Sequence, residues 1–182
     1  MMFLKAYMTV RLRRKVRRMS RRELEEYHRL RFRKFVRFVA RRSPYYKRII
    51  EERGIDPART VVADFPILTK QDLIEHFDEI STDPAVKTER VKEFLAGSRD
   101  PRDLMDGKYR VLHTSGTSGV LCYMVYAPDD WLKGVVHFER IVRLSLRKKR
   151  MAFVAATQGH FAGVSMAASP ALWLSRFFYP TR

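Results

Sequence analysis

Apolar positions recur at helical spacing from the start of the chain. Leu4, Met8, Leu12, Val16 and Met19 fall on one stripe with arginines around it, which predicts a basic amphipathic helix over residues 1–20. Such a helix can lie on an anionic membrane surface or on a partner; a solvated arm with a small docking stripe fits the pattern equally well. From Arg21 to Arg42, the residues Leu24, Tyr27, His28, Phe32, Phe35, Val36, Phe38 and Val39 occupy one half of the helical circumference. Ser20 can cap this helix, and Glu23 three residues later completes a capping-box pattern. Ser43-Pro44 ends it and opens a second helix from Tyr45 to about Arg53, stopped by Gly54.

After a loop containing Asp56-Pro57, Thr69 is an N-cap with Asp72 at the third helical position, predicting a helix to about Ile80. Residues 81–108 carry Asp83-Pro84, Gly97, Asp100-Pro101 and Gly107 and read as loops around a short helix. The texture changes at Tyr109. Tyr109 to His113 reads as a strand, followed by a turn of small residues and a second strand through Leu121 to Tyr126. Pro128, Asp129 and Asp130 open a helix to about Arg147, with Trp131, Val135, Phe138, Val142 and Leu146 inward and its acids at the positive end of the dipole. Met151 to Ala156 reads as a buried strand. A helical first third followed by strands alternating with helices predicts an α/β fold.

Charge changes the picture most in one place. The formal net charge is +17, and nine cations with no acid lie between Met1 and Arg22. A basic balance favours nucleic acid, anionic lipid or phosphorylated ligands as partners. The single cysteine, Cys122, excludes an internal disulfide and a cysteine-rich zinc site and suits a reducing, cytoplasmic setting. No secretory signal is visible; the Arg-rich, acid-free start resembles a mitochondrial transit peptide but lacks its usual serine enrichment. Met151 to Ser175 is free of charged residues, but Gln158, Gly159, His160, Gly163, Ser165, Ser169 and Pro170 interrupt it, which favours buried segments over a membrane span.

The sharpest chemical signal is Thr114-Ser115-Gly116-Thr117-Ser118-Gly119, set between two predicted strands. Its glycines permit positive φ angles and close approach of backbone N–H groups to a phosphate, and four hydroxyls can add hydrogen bonds. A plain hairpin turn has the same composition. The spacing is not that of the strand–loop–helix nucleotide motif. His28, His76, His113, His137 and His160 are scattered without metal-ligand spacing, so no metal site is read here. Ser115 and Ser118 lack the nucleophile-elbow context of a serine hydrolase. Asp129 and Asp130 read as helix-start acids, and Cys122 as a buried, inert thiol.

The hexapeptide resembles the phosphate-binding loop of the adenylate-forming superfamily, which includes acyl-CoA synthetases. Upstream, Ser43-Pro44-Tyr45-Tyr46, Gly54-Ile55-Asp56-Pro57 and Phe65-Pro66-Ile67-Leu68-Thr69-Lys70 resemble its phenylacetate–CoA ligase branch, with the capsule-biosynthesis relatives. These blocks occur in the family's order over roughly residues 25–165. The resemblance implies an incomplete arrangement: a basic arm over 1–20, a helical segment over 21–108, and from 109 to 182 the start of a truncated α/β nucleotide-binding core. It implies an ATP-dependent, AMP-forming ligase acting with Mg²⁺ on a small-molecule carboxylate, with CoA or another acceptor taking the acyl group. Thr114, Ser115, Gly116, Thr117, Ser118 and Gly119 would then hold the β and γ phosphates, and His160 and Phe161 would line the acyl pocket. For His160, a hydrogen-bonded core position is the alternative.

Two departures bear on this. Where the family loop often continues with a proline and a lysine or another polar residue, this chain has Val120-Leu121-Cys122. The family's metal-side acid, ribose aspartate and lid lysine would lie beyond Arg182, so turnover by this chain alone is not expected. Poor solubility or oligomerisation is expected of a sheet left open in this way. Two other readings stand beside the ligase. One is a catalytically lost remnant; the other is a basic module that docks on nucleic acid or an anionic surface through residues 1–42, with residues 1–20 as the peripheral membrane contact, although no nucleic-acid motif is visible.

Overall fold

Short polar side chains set where the helices begin. Ser20 Oγ accepts from the Glu23 backbone N–H at 3.4 Å, and the Glu23 carboxylate accepts from the Ser20 N–H at 2.8 Å, so a reciprocal box opens α1 (Arg21–Arg42). Ser43 stands at the next junction. Its N–H closes α1 on the Val39 carbonyl, and its Oγ accepts from the Tyr46 N–H to open α2 (Pro44–Glu52), with Pro44 at the first helical position. Gly54, at φ 59°, ends α2; Ile55 N–H returns to the Ile50 carbonyl and Gly54 N–H to that of Glu51. That pair of bonds is a Schellman motif, and its left-handed residue is the reason a glycine sits there.

The computed structural model describes residues 11–12, 15–114, 121–138 and 159–168, and these fall in two compact units. One unit spans Leu12–Arg90 and the other begins at Val91. In the first, α1 packs on α2, and Val36, Val39, Ile49, Ile50 and Val86 are buried. Phe65 meets α1 and α2 edge-on, 5.8 Å from the Phe32 ring and 6.4 Å from the Tyr46 ring. Thr60, also buried, donates to Asp64, while Arg33 reaches the carbonyls of Arg59 and Thr60. This ties the segment after α2 back to α1.

Two expectations change here. The apolar face of α1 is narrower than its periodicity implies, since Val36 and Val39 alone are buried along it while Phe35, Phe38 and His28 are exposed. The nine residues of α2, with Phe65, cover one line of the longer helix and leave the flanking aromatics in solvent. The helix expected from Thr69 to Ile80 is two short helices, α3 (Lys70–Glu75) and α4 (Phe77–Ile80). His76 breaks them, with backbone angles of −108° and 19° and its ring 5.2 Å from that of Tyr45. The Thr69–Asp72 box at the start of α3 is present as read.

The unit boundary falls inside α5 (Thr88–Gly97), whose first N–H and hydroxyl both donate to Asp78. In the second unit, β1 (Arg110–His113) pairs antiparallel with β2 (Tyr123–Tyr126), Arg110 opposite Tyr126 and His113 opposite Tyr123. On its other side, His113 bridges to Phe161 in parallel sense, with the His113 N–H donating to the His160 carbonyl. Covered in this way, β1 buries Arg110, Val111 and Leu112, whereas β2 is half-buried throughout. Before β1, Asp106 and Gly107 at φ 55° and 63° turn the chain so that Met105 and Tyr109 exchange both backbone bonds. After β2 come α6, described over Pro128–Phe138, and α7 (Ala162–Ala167).

The described chain is thus mixed helix with a small two-stranded antiparallel sheet. Residues 1–10, 13 and 14 of the arm expected over 1–20, the continuation of α6 to Arg147 and the strand expected over Met151 to Ala156 lie outside the described residues. Among those described, no helix is long and apolar enough to cross a membrane. Within the uncharged stretch from Met151 to Ser175, the described part holds the six-residue α7.

Candidate functional site

The loop at the centre of the sequence argument leaves the sheet at Thr114. Thr114 N–H donates to the Cys122 carbonyl at 3.0 Å, and Cys122 N–H donates back to Thr114 Oγ1 at 3.1 Å. These two bonds extend the β1–β2 ladder by one step, the second using a side chain in place of a backbone carbonyl. They clamp the mouth of the loop. Accepting from Cys122 leaves the Thr114 hydroxyl proton available to a ligand oxygen. Ser115, Gly116, Thr117, Ser118 and Gly119 lie outside the described residues. Cys122 is half-buried rather than fully enclosed.

Beside the clamp stands His113. Its Nδ1 is 3.0 Å from the Thr114 carbonyl, which can only accept, so Nδ1 carries the proton and in the neutral ring Nε2 has the lone pair. The ring packs against Phe161 with centroids 4.4 Å apart. Gly159 completes this corner at φ 83°; a Cβ there would meet the Phe161 ring at 3.7 Å and His113 Nε2 at 3.9 Å. Of the two acyl-pocket candidates, Phe161 therefore covers His113, and His160 points elsewhere.

His160 is 1% exposed. Its Nε2 lies 3.0 Å from Ser98 Oγ, and Ser98 Oγ lies 2.6 Å from Asp103 Oδ2. The serine has one proton, and the carboxylate takes it, so His160 must donate from Nε2. Its Nδ1 is then a bare, buried lone pair, and no hydrogen-bond donor among the described residues meets it. Burial is the main cause that moves the His160 pKa below the ordinary imidazole value of 6.5; Asp103 opposes this, and His113 and Arg110 add to it. Phe94 of α5 packs on the ring at 4.9 Å. The alternative of a hydrogen-bonded core histidine is half satisfied: one nitrogen is bonded and the other is not.

Arg110 is buried at the start of β1. Its guanidinium donates to the Pro101 carbonyl and lies 5.4 Å over the Trp131 ring, while its Nε has no partner. Desolvation lowers its pKa, and Asp100 and Asp103 pull the other way. Asp100 itself is clasped by Arg102, with contacts of 2.6–3.1 Å from the guanidinium and 2.8 Å from the backbone N–H, and its pKa drops to about 2. Ser165 of α7 is fully buried with an unpartnered Oγ. Among the described residues of the Val91 unit, then, His160 Nδ1, Arg110 Nε and Ser165 Oγ are three buried polar atoms without partners, an acceptor, a donor and a hydroxyl.

Sequence reading singled out His160 and Phe161 but missed Ser98, Asp103, Arg110 and Ser165. Ser98 and His160 are 62 positions apart, and no spacing rule links them. Arg110 carried one usable signal, a cation inside an otherwise apolar strand. Of the other histidines, His28 is exposed and His76 lies 3.8 Å from Glu79. Among the described residues no group of three His, Cys, Asp or Glu is placed to hold a metal ion. Asp129 and Asp130 sit in the first turn of α6 as read, with Lys133 on Asp130 at 2.8 Å.

A cleft of about 490 Å³ lies in the Leu12–Arg90 unit and is lined by Arg53, Asp56, Arg59 and Asp64, among others. Its acids are already engaged: Asp56 accepts from the Ala58 N–H and Asp64 from Val61 and Thr60. It opens broadly to solvent and offers no reactive constellation. Comparison with protein-family models, with curated proteins and with solved structures finds no match for this chain.

Proposed function

We propose that the chain is the N-terminal part of an ATP-dependent, AMP-forming carboxylate ligase of the phenylacetate–CoA ligase type. The observation that carries this reading is the clamp between Thr114 and Cys122, which closes a hydroxyl- and glycine-rich loop at the end of a buried strand. The ordered Ser-Pro-Tyr-Tyr and Phe-Pro-Ile-Leu-Thr-Lys blocks upstream add to it. The clamp brings the two ends of the hydroxyl- and glycine-rich segment together, and backbone amides and hydroxyls on such a segment suit an anion.

The donor set fits phosphate. Ser115, Thr117 and Ser118 supply hydroxyls, Gly116 and Gly119 supply amides with no Cβ in the way, and Thr114 keeps a proton to donate. In the proposed reaction a carboxylate oxygen bonds to the α-phosphorus of ATP, pyrophosphate leaves, and an acceptor thiol such as that of CoA then displaces AMP. Mg²⁺ would arrive on the nucleotide's phosphate oxygens and offset their charge. The part assigned to this chain is to hold and orient the β and γ phosphates. His160, with its bare Nδ1, would accept a hydrogen bond from whatever polar group enters beside it.

The test uses the full chain, ¹⁵N-labelled, titrated with inorganic tripolyphosphate and with ATP·Mg²⁺. Amide shifts should concentrate at residues 114–119, and Thr117→Ala with Ser118→Ala should weaken binding at least tenfold while leaving the charge unchanged. Shifts spread over the arginine-rich helices, and indifferent to the two substitutions, would mean that the loop is an ordinary hairpin turn.

A further inference from the structure

The solvent face of α1 is neither plainly polar nor plainly apolar. Along one line of the helix run Leu30, Lys34, Phe38 and Arg41; along the line beside it run Arg31, Phe35, Phe38 and Arg42. Residues spaced three and four apart are neighbours on a helix surface, so apolar and cationic groups alternate on a single face. Leu30 is 56% exposed and Phe35 is 53% exposed. Between Arg29 and Arg42 there are seven cations and no acid. Arg29 is taken by Glu26, and Arg33 by backbone carbonyls. Arg31, Lys34, Arg37, Arg41 and Arg42 have no carboxylate partner among the described residues; Arg42 lies 5.9 Å over the Phe38 ring.

Phe35 also forms one wall of an apolar groove of about 140 Å³ between α1, α2 and the segment Val62–Leu68. On the far wall, Val62 is 70% exposed, and Ile67, in the segment that forms this wall, is 90% exposed. Most of the exposed large hydrophobic residues described thus lie in the Leu12–Arg90 unit, alongside these five cations without a carboxylate partner.

We infer that this face of α1, with the Val62–Ile67 rim beside it, docks on an anionic lipid surface. Arginine and lysine stems can lie along the acyl boundary with their charges on lipid phosphates, while Leu30, Phe35 and Phe38 enter the interface between them. Two other occupants fit less well. A second copy would bring like charge against like charge, at +17 for each chain. Nucleic acid would use the cations but gives no return on exposed leucine, valine and isoleucine. The inference is independent of the ligase reading and concerns residues 29–67, not the arm over residues 1–20.

The test is co-sedimentation of the full chain with vesicles of phosphatidylglycerol and phosphatidylcholine in equal parts, against phosphatidylcholine alone. Anionic vesicles should bind the chain and neutral ones should not. Leu30→Ser with Phe38→Ser should reduce partitioning about tenfold, since it removes two inserted side chains. Arg31→Gln, Lys34→Gln and Arg37→Gln together should reduce it roughly a hundredfold. All five positions are exposed, and circular dichroism checks that each variant keeps its helix content. Loss in the charge variant alone, with the Leu30/Phe38 variant unchanged, would reduce the effect to diffuse attraction and overturn the proposal. So would absence of binding to anionic vesicles, or tighter binding to duplex DNA that ignores the Leu30/Phe38 change.

Discussion

The Ser43 hydroxyl caps α2 and also reaches the Glu79 carbonyl of α4, so its removal has a cost that can be worked out in parts. Replacing it with alanine deletes the N-cap of α2, where Oγ accepts from the Tyr46 N–H at 3.4 Å. Caps of this kind contribute about 1 kcal/mol. The same hydroxyl donates to the Glu79 carbonyl at 2.8 Å, and Ser43 is 1% exposed. Stranding that carbonyl costs roughly 1–2 kcal/mol more. Ser43→Ala should therefore lose about 2–3 kcal/mol. Ser43→Gly separates the parts, because glycine at an N-cap sacrifices only a few tenths of a kcal/mol of capping, so most of its loss reports the bond to Glu79. The assay is urea unfolding followed by circular dichroism, with hydrogen exchange at the Tyr46 amide as the local reporter. Trp131 and Trp173 both lie outside Leu12–Arg90, so tryptophan fluorescence follows the other unit and serves as the control. A loss below about 0.5 kcal/mol in Ser43→Ala would refute the reasoning. So would an unchanged exchange rate at Tyr46.

Two further outcomes follow from the Val91 unit. Because burial holds the His160 pKa below 6.5, the unfolded chain binds more protons, so stability from this group is full above pH 6.5 and declines as pH falls through the depressed value. The thermal midpoint of the wild type should drop on acidification from pH 7 more than that of His160→Phe, and equal slopes would show that the ring is not held neutral. Gly159→Ala should destabilise the unit by about 1–2 kcal/mol, because φ 83° puts a Cβ in the left-handed region; a neutral result in urea unfolding would place that backbone elsewhere in solution.

What could be read from the sequence follows the range of the interaction. The box of Ser20 and Glu23, the Ser43-Pro44 junction, the Gly54 stop and the box of Thr69 and Asp72 each involve residues within a few positions of one another, and each is present. Phe35 and Phe38 went astray because periodicity reports which residues could share a face, whereas burial depends on how long the covering helix is. The break at His76 was hidden for a similar reason, since the Tyr45 ring that meets it belongs to another helix. Ser98, Asp103 and His160 assemble only when β1 brings residue 160 alongside residue 113. Of the candidate phosphate loop, the clamp at Thr114 and Cys122 is described; the hexapeptide's other residues were legible only as chemistry.

That clamp also bears on how the chain can vary. Seven residues separate Thr114 from Cys122, and their ends are held by a bond pattern that needs only a hydroxyl at one side and two backbone groups at the other. Loop-closure entropy rises slowly, by about 0.6 kcal/mol for each doubling of length. Insertions and substitutions between these two anchors should therefore be inexpensive to the fold, while loss of the Thr114 hydroxyl is felt at once. Under the proposed function, the hairpin would serve as a socket whose ligand preference can drift across generations without the scaffold having to be rebuilt.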